Sequence, residues 1–275
     1  MSERGTMPIR ELSSGATVSY ADEGSGRPIV LLHGVAMSSA FFERNVADLA
    51  RGQRVIAMDF RGHGSSPYVE GGHTVAQYAR DVRALIMDMH LADVVLVGWS
   101  MGSLVAWDYL RQFADDARVA GVVIVSQGPS DLIQADWPHG IADDAELHAY
   151  LSAMQADARG FLAEFLPTMF HTAPDEATQA RLLDDICRAG ANTGTLILAD
   201  QTVQDYRPDI PGFGVPHLLV WGSDEQVGKL AAAGWLQASL PRAELHVFES
   251  SGHCPMWEEP DRFDALVSAW VAALD

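Results

Sequence analysis

The sequence predicts an α/β protein built on a doubly wound, mostly parallel sheet, and three observations predict it. Short runs that are apolar at nearly every position, such as Ile29 to Leu32, Val94 to Val97 and Val119 to Val125, have the pattern of strands buried on both faces. Between them lie stretches with helical spacing, and strands that alternate with helices of this length pair in parallel beneath helices on both faces. The alternation then stops from about residue 128 to residue 210 and resumes at His217, which marks a helical insertion.

The elements follow in order. Ile9 to Tyr20 carries two short alternating runs about Gly15 and reads as a hairpin or a pair of edge strands. Gly24 to Pro28 breaks the chain before the strand Ile29 to Leu32, which ends at His33-Gly34. Ser38 and Ser39 can cap a following helix bearing Phe41, Phe42, Val46 and Leu49. The strand Arg54 to Met58 ends in a glycine-rich loop, Asp59 to Ser65. Thr74-x-x-Gln77 then forms a capping box for a helix whose apolar face is Val75, Tyr78, Val82, Leu85, Ile86 and Met89.

Two more strands follow, at Val94 and Val119, with an apolar helix over Ser103 to Phe113 between them. The insertion draws its apolar faces from Leu147, Leu151, Met154, Phe161, Phe165, Leu166, Met169 and Phe170, and Pro138, Pro167 and Pro174 divide it. Strands at His217 to Trp221 and Glu244 to Phe248 bring the expected sheet to eight. A helix near Gln226 to Leu240 separates them, and Pro260 opens a closing helix with Phe263, Leu266, Val267, Trp270 and Val271 on one face. The expected organisation is a core of residues 1–127 and 211–275 with a helical cap at 128–210.

Composition narrows the function classes. A net charge of -19 with a single lysine, Lys229, argues against a nucleic-acid or anionic-membrane partner, because phosphate binding needs clustered positive charge. Cys187 and Cys254 lie far apart and have no metal-ligand spacing, so neither a disulfide framework nor a zinc site is expected. Met1 to Arg10 has no apolar core of signal-peptide length and no run reaches membrane-spanning length, which predicts a cytoplasmic protein.

The chemistry centres on Gly98-Trp99-Ser100-Met101-Gly102. A buried strand that must turn at once into a helix leaves one side chain standing at the turn, and Gly-x-Ser-x-Gly in this context is a nucleophile elbow. A serine hydroxyl is a poor nucleophile at neutral pH and needs a base, which in turn needs an orienting group. Asp224 follows one predicted strand and His253 follows the last through a glycine turn. Both therefore lie at strand carboxyl ends, the edge at which sites form in such sheets and at which Ser100 also stands. Glu225, adjacent to Asp224, and Asp131, after the preceding strand, are the other carboxylates available for the same role.

His33-Gly34, Asp59-x-Arg61-Gly-His-Gly-x-Ser66, the elbow, Asp224-x-x-Val227 and Gly252-His253-x-Pro255-x-x-Glu258-x-Pro260 occur in one order along the chain. On these motifs the sequence resembles an α/β-hydrolase, nearest to the esterase, cofactor-free haloperoxidase and lactonase branch. The resemblance implies a triad of Ser100 as nucleophile, His253 as base and Asp224 as acid. It also implies an oxyanion hole of the Val35 and Met101 backbone N–H groups, each such donor worth about 3 to 4 kcal/mol.

By the same resemblance, Trp99 and Met101 flank the nucleophile and face the substrate pocket or the core. Trp137, Phe165, Leu166, Met169 and Phe170 of the cap are candidates for an apolar acyl pocket, with core packing as their other reading. His33, beside the pocket, and His63 are expected to hold their loops through hydrogen bonds, and Asp59 and Arg61 are read as structural too. Cys254 is read as packing.

The activity implied is acyl-enzyme hydrolysis of a small to medium carboxylic ester or lactone, without metal or organic cofactor, by a monomer or homodimer. The same triad also serves perhydrolysis and carbon–carbon bond hydrolysis. Outside enzymes, the alternative is a slow-turnover ligand-binding protein. An aspartate in place of Ser100 would mark dehalogenase or epoxide-hydrolase chemistry, so those reactions are disfavoured.

Overall fold

Runs that are apolar throughout form the centre of the sheet. In the computed structural model, residues 7–274 are described; residues 1–6, within the Met1 to Arg10 reading and the 1–127 segment, and residue 275 lie outside the described residues. The strands are β1 (Ile9–Glu11), β2 (Thr17–Gly24), β3 (Pro28–Leu32), β4 (Arg54–Met58), β5 (Val94–Trp99), β6 (Val119–Val125), β7 (His217–Gly222) and β8 (Ala243–Phe248). They form one eight-stranded sheet in the order β1-β2-β4-β3-β5-β6-β7-β8. The β1–β2 and β2–β4 pairs are antiparallel and the other pairs are parallel.

Alternate residues of the central strands serve opposite faces. Val30, Leu32, Ile56, Met58 and Leu96 join one core cluster, whereas Ile29, Leu31, Val55, Ala57, Val95 and Val97 join the other. After α1 (Val46–Leu49), the helices α2 (Val75–Asp88) and α3 (Met101–Gln112) cover the first face. The inserted helices are α4 (Asp144–Ala156), α5 (Ala158–Phe165), α6 (Glu176–Ile186) and α7 (Gly190–Thr202). Among the described residues, the β structure between β6 and β7 is limited to isolated bridges. The chain closes with α8 (Leu230–Ser239), α9 (Pro255–Glu258) and α10 (Pro260–Ala272), the last packing Phe263, Val267 and Val271 on the second face.

Two local expectations are corrected. The helix expected after Ser38 and Ser39 is a 3-10 turn, Ser39–Phe42, capped by the Ser38 hydroxyl, followed by the single turn of α1. Here Asp59 accepts the Ser39 N–H at 2.8 Å and ties the segment to the β4 loop, so tertiary bonding replaces a regular helix start. At α2, Thr74 accepts the Gln77 N–H at 3.1 Å, but the Gln77 amide donates to Asp81 instead of completing the box.

Candidate active site

The elbow is set by backbone crowding. A Cβ on Gly98 would lie 2.5 Å from Gly102 and Ser103 backbone atoms, and one on Gly102 would lie 2.1 Å from the Leu32 carbonyl oxygen. Strand β5, helix α3 and the end of β3 therefore meet only where those side chains are absent. Ser100, between them, has φ 51° and ψ -128°, a conformation that costs a non-glycine residue about 1 to 3 kcal/mol. Its N–H donates to Val125 O at 2.9 Å, and the residue is 6% exposed. Met101 opens α3, so its N–H has no intrahelical acceptor.

Gly34 lies against the elbow: a Cβ there would be 3.2 Å from Ser100 Cβ and 3.3 Å from the Trp99 ring. Val35, half-buried, follows it. The histidine behind this loop holds backbone on both sides and, being fully buried, does not line a pocket. His33 Nε2 accepts the Phe60 N–H at 3.0 Å and its Nδ1 donates to Gly34 O at 2.8 Å, so the ring clips the β3 loop to the β4 loop. Burial pushes its pKa down to about 4, against the Gly34 hydrogen bond. His63, with its ring centroid 5.3 Å away, is pushed to about 3 by burial and by His33, and its Nε2 has no hydrogen-bond partner. Asp59 accepts from the Ser39 and Ser65 N–H groups, and Arg61 forks onto Asp81 with two 2.6 Å bonds.

His253 is buried beside the elbow. Its carbonyl accepts the Trp99 indole N–H at 2.8 Å, the two rings are 5.7 Å apart, and its own N–H donates to Met169 O at 2.7 Å. The turn that carries it packs directly on β7, where a Cβ on Gly222 would lie 2.1 Å from Gly252 O.

The acid-bearing loop requires the main correction. Asp224 does not face His253: its side chain is 49% exposed and pairs with His171 at 3.0 Å. Glu225 takes that place, its two oxygens 3.1 and 3.0 Å from His253 Nδ1, and its side chain is 1% exposed. The Asp224 N–H is held by Ser251 O at 3.1 Å, and the Val227 and Gly228 N–H groups draw Glu225 Oε1 inward at 2.8 and 3.0 Å. Two N–H groups converging two and three residues after a carboxylate favour Glu225.

Asp131, the third carboxylate, is fully buried but accepts from the Gln127 and Gln201 amides at 2.6 and 2.8 Å. Burial pushes its pKa up to about 7, opposed by those amide bonds and by the nearby His253.

The candidate pocket residues are mostly packed. Trp99 is fully buried and stacks on Phe41 at 4.7 Å, and Met101 is fully buried. Leu166, Met169 and Phe170 are buried in the cluster that holds Trp99 and Phe41. Phe165 is half-buried and stacks on Phe161. Trp137 donates to Ser130 O at 2.9 Å and packs edge-on to Trp235. Leu166, Met169 and Phe170 thus extend the core on one face of the sheet, in one cluster with Ile29, Leu31, Val95 and Val97. Cys254 is buried, its thiol pushed well above the usual range by burial, so it stays a packed thiol. Among the described residues, no group of three or more His, Cys, Asp and Glu side chains is placed to hold a metal ion. No helix there is long and apolar enough to cross a membrane.

The profile described as the alpha/beta hydrolase family matches residues 29–266. The non-heme chloroperoxidase CPO-A1 of Kitasatospora aureofaciens is 30% identical over 261 residues, covering 90% of this chain and 92% of the relative. An esterase from Exiguobacterium antarcticum superposes with a TM-score of 0.92 at 25% identity, over 97% of this chain and 100% of the other. The enol-lactonase from Burkholderia xenovorans LB400 superposes with a TM-score of 0.85 at 22% identity, over 96% and 100% of the two chains.

Proposed function

Because this chain belongs to the alpha/beta hydrolase family, we propose that it is a serine hydrolase that cleaves a small to medium carboxylic ester or lactone through an acyl-enzyme on Ser100. The observation that carries this reading is the His253 imidazole, held by Glu225 at Nδ1 while its backbone carbonyl is tied to Trp99, the neighbour of Ser100. A carboxylate at Nδ1 selects the tautomer with the proton there and leaves the Nε2 lone pair to receive the Ser100 proton. Glu225, not Asp224, is thus the orienting acid.

In the first step the Ser100 oxygen bonds to the acyl carbon while its proton passes to His253. The tetrahedral oxyanion is received by the Val35 and Met101 N–H groups, and His253⁺ returns the proton to the leaving alkoxide. Water then repeats the sequence and releases the acid. In a lactone the leaving alkoxide stays tethered to the acyl group, so the product is a single hydroxy acid. The surroundings favour an uncharged acyl group: Val35 is apolar, and inserted Gly194 lies between Met154 and Ala36, a Cβ on it falling 3.2 Å from Met154 Sδ and 3.7 Å from Ala36 Cβ. No cofactor enters these steps.

A fluorophosphonate probe should label Ser100 stoichiometrically, and p-nitrophenyl acetate should give a burst of one equivalent. Ser100→Ala should abolish both. A folded wild type that neither labels nor bursts would sink the proposal. The chloroperoxidase relative favours a second reading, in which the acyl-enzyme is attacked by hydrogen peroxide to give a peracid. Bromination of a phenolic dye that requires both acetate and peroxide, and is lost in Ser100→Ala, would support it.

A further inference from the structure

Glu258 belongs to the motif that runs past the histidine, yet nothing in the proposed chemistry uses it. Its carboxylate accepts the Gly252 N–H at 2.8 Å through Oε2 and the Thr172 N–H at 3.1 Å through Oε1. It therefore joins the turn that carries His253 to a segment of the insertion some eighty residues earlier.

Two further contacts close the same seam. The His253 N–H donates to Met169 O at 2.7 Å. Gly252 is pressed so closely on that segment that a Cβ there would lie 2.9 Å from His171 N and 3.0 Å from Met169 O.

Glu258 is itself a fixed point. It ends α9, whose Pro255, Met256 and Trp257 are buried. Asn45 donates to Met256 O at 2.9 Å, and Arg44 donates to Trp257 O at 3.1 Å with its guanidinium 4.4 Å above the Trp257 ring.

We propose that Glu258 is a positioning residue for His253: by bridging the Gly252 and Thr172 N–H groups, it makes the orientation of the base depend on docking of the inserted segment 169–172. The proposal rests on the serine-hydrolase reading for its catalytic consequence. The imidazole already has two tethers of its own, Glu225 at Nδ1 and Trp99 at the carbonyl. Both act on the side chain or the carbonyl of residue 253; Met169 O holds its N–H, and Glu258 fixes the peptide before that one, at the Gly252 N–H. Without that bond the turn can tilt about the Glu225 contact and carry Nε2 away from Ser100. A misplacement of about 1 Å can cost up to about a hundredfold in rate.

The Asp224–His171 pair joins the same two regions from outside. Because both side chains are roughly half exposed, it adds little holding strength.

The test compares wild type with Glu258→Gln, which keeps one oxygen acceptor and loses the other, and with Glu258→Ala, which loses both. Hydrogen exchange at the Gly252 and His253 amides is read first, because it does not depend on any activity. Protection there should fall about tenfold or more in Glu258→Gln while β5 and β6 amides are unchanged. Next, kcat is measured per site titrated by the p-nitrophenyl acetate burst. It should fall about tenfold in Glu258→Gln and further in Glu258→Ala, with KM within about twofold.

Unchanged exchange at residues 252 and 253, or unchanged kcat per titrated site, overturns the proposal; the second result would leave Glu258 a mere staple. A wild type that neither labels with the fluorophosphonate nor bursts would instead defeat the hydrolase reading, and the exchange result would still decide whether Glu258 holds the turn. Glu258→Asp, too short to span both N–H groups, replaces the glutamine variant if that fails to fold.

Discussion

The two ends of the candidate site share close backbone contact at glycines, Gly98 and Gly102 at one and Gly222 and Gly252 at the other, and differ in what is added to it. At the nucleophile, glycines let the chain close up: Gly98 against the Gly102 backbone, Gly102 against the Leu32 carbonyl, Gly34 against the Ser100 Cβ and the Trp99 ring. At the acid and base, carboxylates gather N–H groups from separate turns: Glu225 those of Val227 and Gly228, Glu258 those of Gly252 and Thr172. Steric exclusion tolerates no substitute, whereas a hydrogen-bonded turn lets its register decide which of two neighbouring carboxylates points inward. The first kind of construction is written in residue identity and the second in the path of the chain.

The largest expected effect tests the acid end directly. Glu225→Gln should lower kcat by about 10⁴-fold, as removing the orienting carboxylate of such a triad does, whereas Asp224→Asn should stay within about threefold. Steady-state kinetics on an activated ester decide it, and a larger loss in Asp224→Asn would reverse the assignment.

Next comes the nucleophile end. Gly102→Ala places a Cβ 2.1 Å from the Leu32 carbonyl and should cost about 4 kcal/mol or more in urea unfolding, while Gly214→Ala, with open space around it, should be near neutral. If both variants fold equally well, steric exclusion is not what shapes the elbow.

The ends should also differ in their response to pH. His33 and His63, behind the oxyanion loop, are held far below their usual value of 6.5. Between pH 6.5 and about 4, the unfolded chain therefore binds more protons than the folded one, and stability falls as pH falls through that window. His33 alone contributes on the order of 3 kcal/mol. Urea titrations at pH 7 and pH 4.5 should show this loss.

Asp131, by the acid and base, is raised to about 7 and acts in the opposite sense. From about pH 4 to 7 the folded state keeps a proton that the unfolded state has lost, so stability falls as pH rises. Asp131→Asn should remove that slope and stabilise the protein by about 1 to 2 kcal/mol at pH 8.

Much of this was legible in the sequence. The eight strands, the hairpin at Gly15, the elbow and the histidine turn follow from apolar period and from glycines whose absence of a side chain is itself the constraint. Ser100 and His253 come to one sheet edge because each follows a parallel strand. Asp224 was misread because adjacent residues leaving a strand point opposite ways, and which one turns inward depends on Ser251 O and on the N–H groups of Val227 and Gly228. Local spacing does not encode those partners. The inserted apolar residues could be recognised as buried, but whether Leu166 or Phe170 meets substrate or neighbours depends on contacts across the insertion, and the structure packs both into the core.

The positive φ of Ser100 has one further consequence. Glycine adopts that conformation without steric penalty, so a glycine at position 100 would return about 1 to 3 kcal/mol to the fold while removing the Ser100 hydroxyl. On the proposed chemistry, the version of this molecule with the least strained elbow is thus an inert one, and stability and activity pull in opposite directions at this one position.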